Sequence, residues 1–242
     1  MKKSILFGAI TLIAGSLLAA SSDDVKAAAK KLADQSNYSW KTTVTVPDGG
    51  GGGGGRFRPG PTEGKTEKDG YTWISMTMGD NTTEAVLKGT KGAAKMEGEW
   101  RTLADMAQDD PGPSSFLARR LQNFKTPAAD AEDLAAKTKE LKKDGDVLVS
   151  DLTEEGAKAL LSFRGGRAGG QGPPPATNAK GSAKFWLKDG QLAKFEYKVS
   201  GTISFNGNDR DIERTTTVEI KDVGTTKLEV PADAKKKLSD EK

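Results

Sequence analysis

The 242-residue chain carries 37 basic and 34 acidic residues, a formal charge of +3, 35% hydrophobic residues, and neither Cys nor His. The two absences exclude disulfides, zinc held by Cys or His, His-based triads and Cys nucleophiles, and they remove the usual general base near neutral pH. Interspersed charges so nearly balanced give no electrostatic case for nucleic acid.

The chain opens as a secretory signal peptide over residues 1–21. Lys2 and Lys3 precede an apolar run from Ile5 to Leu18, and the small residues Ala19, Ala20, Ser21 and Ser22 follow. The run is short for a span of about 20 residues. Leu17-Leu18-Ala19-Ala20 resembles a lipobox, but Ser21 stands where a lipidated Cys would be. The expectation is a soluble periplasmic or secreted product, not membrane-spanning after cleavage, with a single domain over 22–242.

Asp23 to Gln35 predicts an amphipathic helix, with Val25, Ala28, Ala29, Leu32 and Ala33 at helical spacing. Tyr38 to Val46 predicts a strand with Tyr38 and Trp40 on one face. A first Gly-rich insertion, 48–62, contains seven consecutive glycines from Gly49 and reads as a loop. After the Lys68-Asp69-Gly70 turn signal, Tyr71 to Met78 predicts a strand that is apolar on both parities. Thr83 to Lys88 pairs with it across Gly79-Asp80-Asn81, and further short strands or turns run to about Leu103.

Three helices fill the middle. Ser114 or Ser115 caps one that carries Phe116, Leu117, Leu121 and Phe124. Ala131, Leu134, Ala135, Thr138 and Leu141 mark a second. A strand over Asp146–Leu152 leads to a third, capped by Thr153, with Ala157, Leu160 and Leu161 on one side. A second Gly/Pro-rich insertion comes next, at 164–181.

The last third predicts a meander. Ser182–Leu187 turns at Asp189-Gly190 into Gln191–Phe205, which turns at Asn206-Gly207 into Asp209–Val223. A final strand ends at Leu228 and Val230. On Gln191–Phe205 the odd positions are apolar (Ala193, Phe195, Tyr197, Val199, Ile203, Phe205) and the even ones polar. At about 3.3 Å per residue that strand spans roughly 50 Å, so it must coil, bend or close. The predicted class is α+β, a strongly curved antiparallel sheet (a half-barrel) with helices packed on its concave face.

Catalytic and metal signatures fail on spacing. Gly64-Lys65-Thr66 looks like the end of a phosphate loop, but Pro59 holds the position that needs Gly. A calcium loop starting at Asn206 would want Gly and Glu where Asp211 and Thr217 stand. The acid pairs Asp109-Asp110 and Glu154-Glu155 are neighbours in sequence and do not face each other across a substrate. No enzyme, cofactor or metal is therefore expected. The remaining constellation is aromatic and aliphatic. Trp40, Trp73, Phe185, Phe195, Tyr197 and Phe205 are the candidate cavity residues, and Phe116, Leu117, Leu121, Leu160 and Leu161 the candidate lid; the same side chains could instead fill a core.

In its layout of leader, first helix, Asn37–Val46 strand, central helices and the closing Lys184-Phe-Trp-Leu-Lys-Asp-Gly-Gln-Leu-Ala-Lys-Phe-Glu-Tyr meander, the chain resembles the periplasmic lipoprotein-carrier fold. Lol-type carriers and the mycobacterial lipid-binding lipoproteins of the LppX kind share that fold. The resemblance implies a half-barrel whose helices form a lid over an apolar cavity for acyl chains. The partner it implies is a lipid or an acylated protein; the alternative is a cell-envelope interaction or structural module with a filled core and a protein partner.

Overall fold

The computed structural model describes residues 19–47, 59–79, 81–161, 176–205 and 208–240. Most of the signal segment, the glycine tract, residues 162–175, the Asn206-Gly207 turn and the Phe205 side chain lie outside the described residues.

Among the described residues twelve strands form one open sheet. In chain order they are β1 (Ala19–Ala20), β2 (Asn37–Thr45), β3 (Pro59–Glu67), β4 (Thr72–Met78), β5 (Asn81–Lys88), β6 (Lys91–Met96), β7 (Glu99–Thr102), β8 (Leu141–Asp144), β9 (Val147–Asp151), β10 (Thr177–Lys188), β11 (Gln191–Phe205) and β12 (Asn208–Lys221). Their spatial order is β1-β8-β9-β10-β11-β12-β2-β3-β4-β5-β6-β7, and every neighbouring pair is antiparallel. The helices are α1 (Ser22–Ala33), α2 (Leu103–Ala107), α3 (Pro113–Gln122), α4 (Pro127–Ala135), α5 (Glu154–Leu161) and α6 (Ala232–Asp240). The sheet arches as a half-barrel. Helices α1 to α5 lie over its concave face, where they bury one continuous apolar cluster.

The fifteen-residue β11 forms as its alternation predicts. The Asp189-Gly190 turn that feeds it has φ of 53° and 70°, the left-handed pair that suits a tight hairpin. One detail of parity differs. A register shift between Trp186 and Leu187 pairs Leu187 with Leu192, so Leu192 is fully buried while Ala193 is only half-buried. A β-bulge inserts one extra residue and flips the facing of what lies beyond it. Further along, Gly201 leaves room for α5: a Cβ there would lie 2.7 Å from the Leu161 side chain.

Strands also reach into both predicted insertions. Residues 59–62 belong to β3 and 177–181 to β10. Pro59 and Pro61 are tolerated because pairing of β3 with β2 stops at Thr62. Before that point β3 has a neighbour only on its β4 side, so a missing N–H on the other side breaks no ladder. In the middle of the chain the second predicted helix ends at Ala135, and Leu141 opens β8 instead.

The predicted strand at Leu228–Val230 is irregular, and an unanticipated helix, α6, comes after it. That helix covers the opposite face of the sheet. Ala234 and Leu238 bury against Val86, Ala93 and Trp100, with Tyr71, Trp73 and Val230 beside them. This explains the two-sided apolar pattern of Tyr71–Met78: Ile74 and Met76 face the main core, and Trp73 faces α6.

Leu238→Ala removes a buried apolar side chain from this small second cluster, at a cost of about 2 kcal/mol. For a chain of this size the thermal midpoint should fall by roughly 4–8 °C. A calorimetric midpoint unchanged within 1 °C (about the resolution of such a scan) would show that α6 contributes nothing there.

Candidate functional site

Between the middle of the sheet and the ends of α3 and α5, the concave face is not filled. A hollow of about 310 Å³ remains, open at one side. Trp40 of β2, Ile74 and Met76 of β4, Phe195 and Tyr197 of β11 and Val218 of β12 line its floor. Leu121, Phe124 and Leu160 form the roof. A second groove of similar volume, between α1 and α4, is lined by alanines, Lys26, Lys30, Thr126 and Glu132, with no aromatic side chain.

The floor is built by register. β2 pairs with β3 so that Trp40 faces Gly64, and a Cβ on Gly64 would come within 2.2 Å of the indole. Glycine therefore lets the ring lie across β3. Its Nε1–H donates to the Thr66 hydroxyl at 3.2 Å, which satisfies the one polar atom of a nearly buried side chain. Above it Phe124 stacks on the indole, centroids 5.6 Å apart and planes 23° apart. That contact joins floor to roof.

The lining is more polar than an aromatic inventory suggests. Thr42, Thr62 and Thr216 bring hydroxyls to the floor, and Arg120, Lys125, Asp130 and Arg214 stand at the wall and rim. Arg214 donates to the Leu160 carbonyl in the last turn of α5, where a cation also suits the helix dipole. Lys125 lies 3.1 Å from Asp133, which Lys137 also contacts at 2.6 Å. Burial pushes the Asp133 carboxyl up, but the hydrogen bonds and charges of Lys137 and Lys125 outweigh it and bring the pKa to about 2. Arg120 is an exposed residue, and desolvation of its guanidinium lowers its pKa. Behind the roof, both guanidinium nitrogens of Arg101 donate to Asp109, at 2.8 and 2.9 Å, and the Ser114 hydroxyl adds a bond of 2.6 Å. Arg101 and Ser114 together hold Asp109 at about 2. That knot ties the start of α3 to β7.

The predicted residues divide. Trp40, Phe195 and Tyr197 line the hollow, as do Leu121 and Leu160 above it. Phe185 is fully buried beside Phe195, ring centroids 6.4 Å apart, in the filled part of the core. Trp73 is corrected: it lies on the opposite face, against the α6 cluster. Leu117 and Leu161 are buried in the main core under their helices. Phe116 points outward and is 46% exposed, so α3 roofs the hollow with Leu121 rather than Phe116. The charged and hydroxyl residues were missed. Their sign was readable on β12, where Arg214 and Thr216 interrupt the apolar even face of Ile212, Val218 and Ile220. On α3, Arg120 lies three residues after Leu117, at helical spacing from that apolar face. Among the described residues no three carboxylates group as a metal site, and no helix is long and apolar enough to cross a membrane.

No family model and no curated protein matches this chain. Among solved structures it is similar to LprF from Mycobacterium bovis, with 10% identity and a TM-score of 0.45 over 88% of this chain and 96% of that one. It is likewise similar to the Mycobacterium tuberculosis lipoprotein LppX, with 8% identity and a TM-score of 0.46 over 86% and 96% of the two chains.

Asp109 and Asp133 both sit at about 2, below the ordinary 3.8. Groups depressed in the folded state stabilise it above their unfolded pKa and lose that contribution as pH falls through the folded value. Stability should therefore hold above about pH 4 and decline from there towards pH 2. Urea melts across that range check it, and Asp133→Asn should flatten part of the slope. A wild-type midpoint independent of pH between 2 and 4 would contradict the ion pairs of Asp109 and Asp133.

Proposed function

We propose that this chain is a non-enzymatic binding protein for a lipid or a lipidated partner, exported to the periplasm or secreted. The acyl part would lie in the hollow beneath the helical roof, and α3 and α5 would part to admit it. One observation carries the reading: about 310 Å³ of space bounded below by Trp40, Phe195 and Val218 and above by Leu121, Phe124 and Leu160. Pockets that take small molecules start at about this volume and share this mainly apolar lining with a few placed polar groups.

Size limits the ligand. At roughly 30 Å³ per heavy atom, the hollow takes on the order of ten atoms. That is one short chain or the end of a longer one. Burying ten methylenes at about 0.8 kcal/mol each gives roughly 8 kcal/mol, the size of a micromolar Kd before association costs are subtracted. Apolar contact alone would therefore hold the ligand loosely.

Native mass spectrometry after mild purification should show a co-purified lipid mass, and a fluorescent fatty acid should be taken up. Thr62→Phe places a ring in the hollow without touching its roof and should weaken uptake at least about tenfold while leaving the thermal midpoint within a few degrees. A wild-type protein that flies clean and takes up no fatty acid would overturn the proposal and favour an interaction module with a filled core.

A further inference from the structure

We infer that the ligand's head is a single anionic group, a carboxylate or phosphate, received by the Arg120 guanidinium at the mouth of the hollow, with Arg214 and Lys125 beside it. The inference rests on the binding reading above and adds the class of head the site selects. Of the charged groups among the described residues that line the hollow, three are cations and one, Asp130, is a carboxylate. The cations are not equivalent. Lys125 is held by Asp133 at 3.1 Å. Arg214 spends part of its fork on the Leu160 carbonyl. Arg120 has neither a hydrogen bond nor an ion pair among the described residues.

A solvated arginine on a helix needs no partner, and the last turn of α3 favours a cation in any case. Arg119, one residue earlier and half-buried, does not line the hollow. Arg120 differs in place: it shares the lining with Leu121 and Phe124, where its charge is partly desolvated. A charge brought towards an apolar lining without a counter-charge is unfavourable until an anion meets it. The guanidinium offers paired N–H donors that match carboxylate and phosphate oxygens two at a time. The apolar floor sets the tail below this point, so a ligand seated with its chain on Trp40 and Phe195 brings its head to the cationic rim. Among the described lining residues Asp130 is the one carboxylate, so the formal charge of that lining is positive.

Titration calorimetry on the full chain at low salt tests this with decanoate, decyl phosphate, decanol, decylammonium and inorganic phosphate. Decanoate and decyl phosphate should bind at least about tenfold more tightly than decanol, and decylammonium more weakly still. Arg120→Gln should bring decanoate down to the level of decanol and leave decanol unchanged; Arg120→Lys should restore part of the difference. Rising salt should weaken wild-type binding of decanoate and not of decanol, a readout that needs no variant. Equal binding of decanol and decanoate, or an Arg120→Gln protein that still prefers decanoate, overturns the head-group inference while lipid binding stands. Inorganic phosphate binding as tightly as decyl phosphate overturns it in favour of a free-anion site. Failure of every ten-carbon probe overturns the binding reading itself.

Discussion

A fifteen-residue strand paired along its length to neighbours of twelve and fourteen residues cannot lie flat. Each strand carries a right-handed twist, and over such a span the sheet must arch. An arched sheet with one apolar face has to be covered on its concave side, and straight helices cover a concave surface imperfectly. Where α1 and α5 sit down on β10 and β11, small residues such as Gly201 let the fit close. Phe185, Phe195 and Leu32 there are wholly buried. Toward β2, β3 and β12 no helix descends as far, and the hollow is what remains.

The fold was legible wherever one residue pattern answered to one face. Odd-position apolar residues on β11 and the Asp189-Gly190 turn made the meander readable, and helical spacing made α1, α3 and α5 readable. Legibility failed where local composition and tertiary context disagree. Pro59, Gly60 and Pro61 look like loop, yet a strand with a neighbour on only one side accepts them. Helix α6, two-thirds polar by sequence (only its two alanines and Leu238 being apolar), docks through Ala234 and Leu238 alone. The bulge that exchanges Leu192 for Ala193 lies in the pairing, not in the residues themselves.

The candidate site was legible in half. Aromatic residues on strands announced an apolar interior, and Trp40, Phe195 and Tyr197 do meet there. Parity could not say which of two covered faces Trp73 would take, because α6 was unforeseen. The cations were hidden for a different reason. In a chain with 37 basic residues, an individual Arg or Lys reads as solvated surface. Only its facing, fixed for Arg214 by the β11–β12 register and for Arg120 by the turn of α3, makes it part of the lining.

The polar groups also answer how such a hollow can persist. A sealed void of 310 Å³ would cost roughly 7 kcal/mol at about 24 cal/mol per Å³, comparable to the whole stability of a domain. An open mouth and the hydroxyls of Thr42, Thr62 and Thr216 change that balance, since a roomy site with several polar partners can hold water. Water against Phe124, Val218 and Leu121 has few partners, however, and gains by leaving when an apolar chain replaces it. The hydroxyls and charged side chains thus lower the cost of keeping the hollow open, and its apolar walls would favour exchange of water for an apolar chain. A floor of leucines throughout would have drawn the roof down until the space closed.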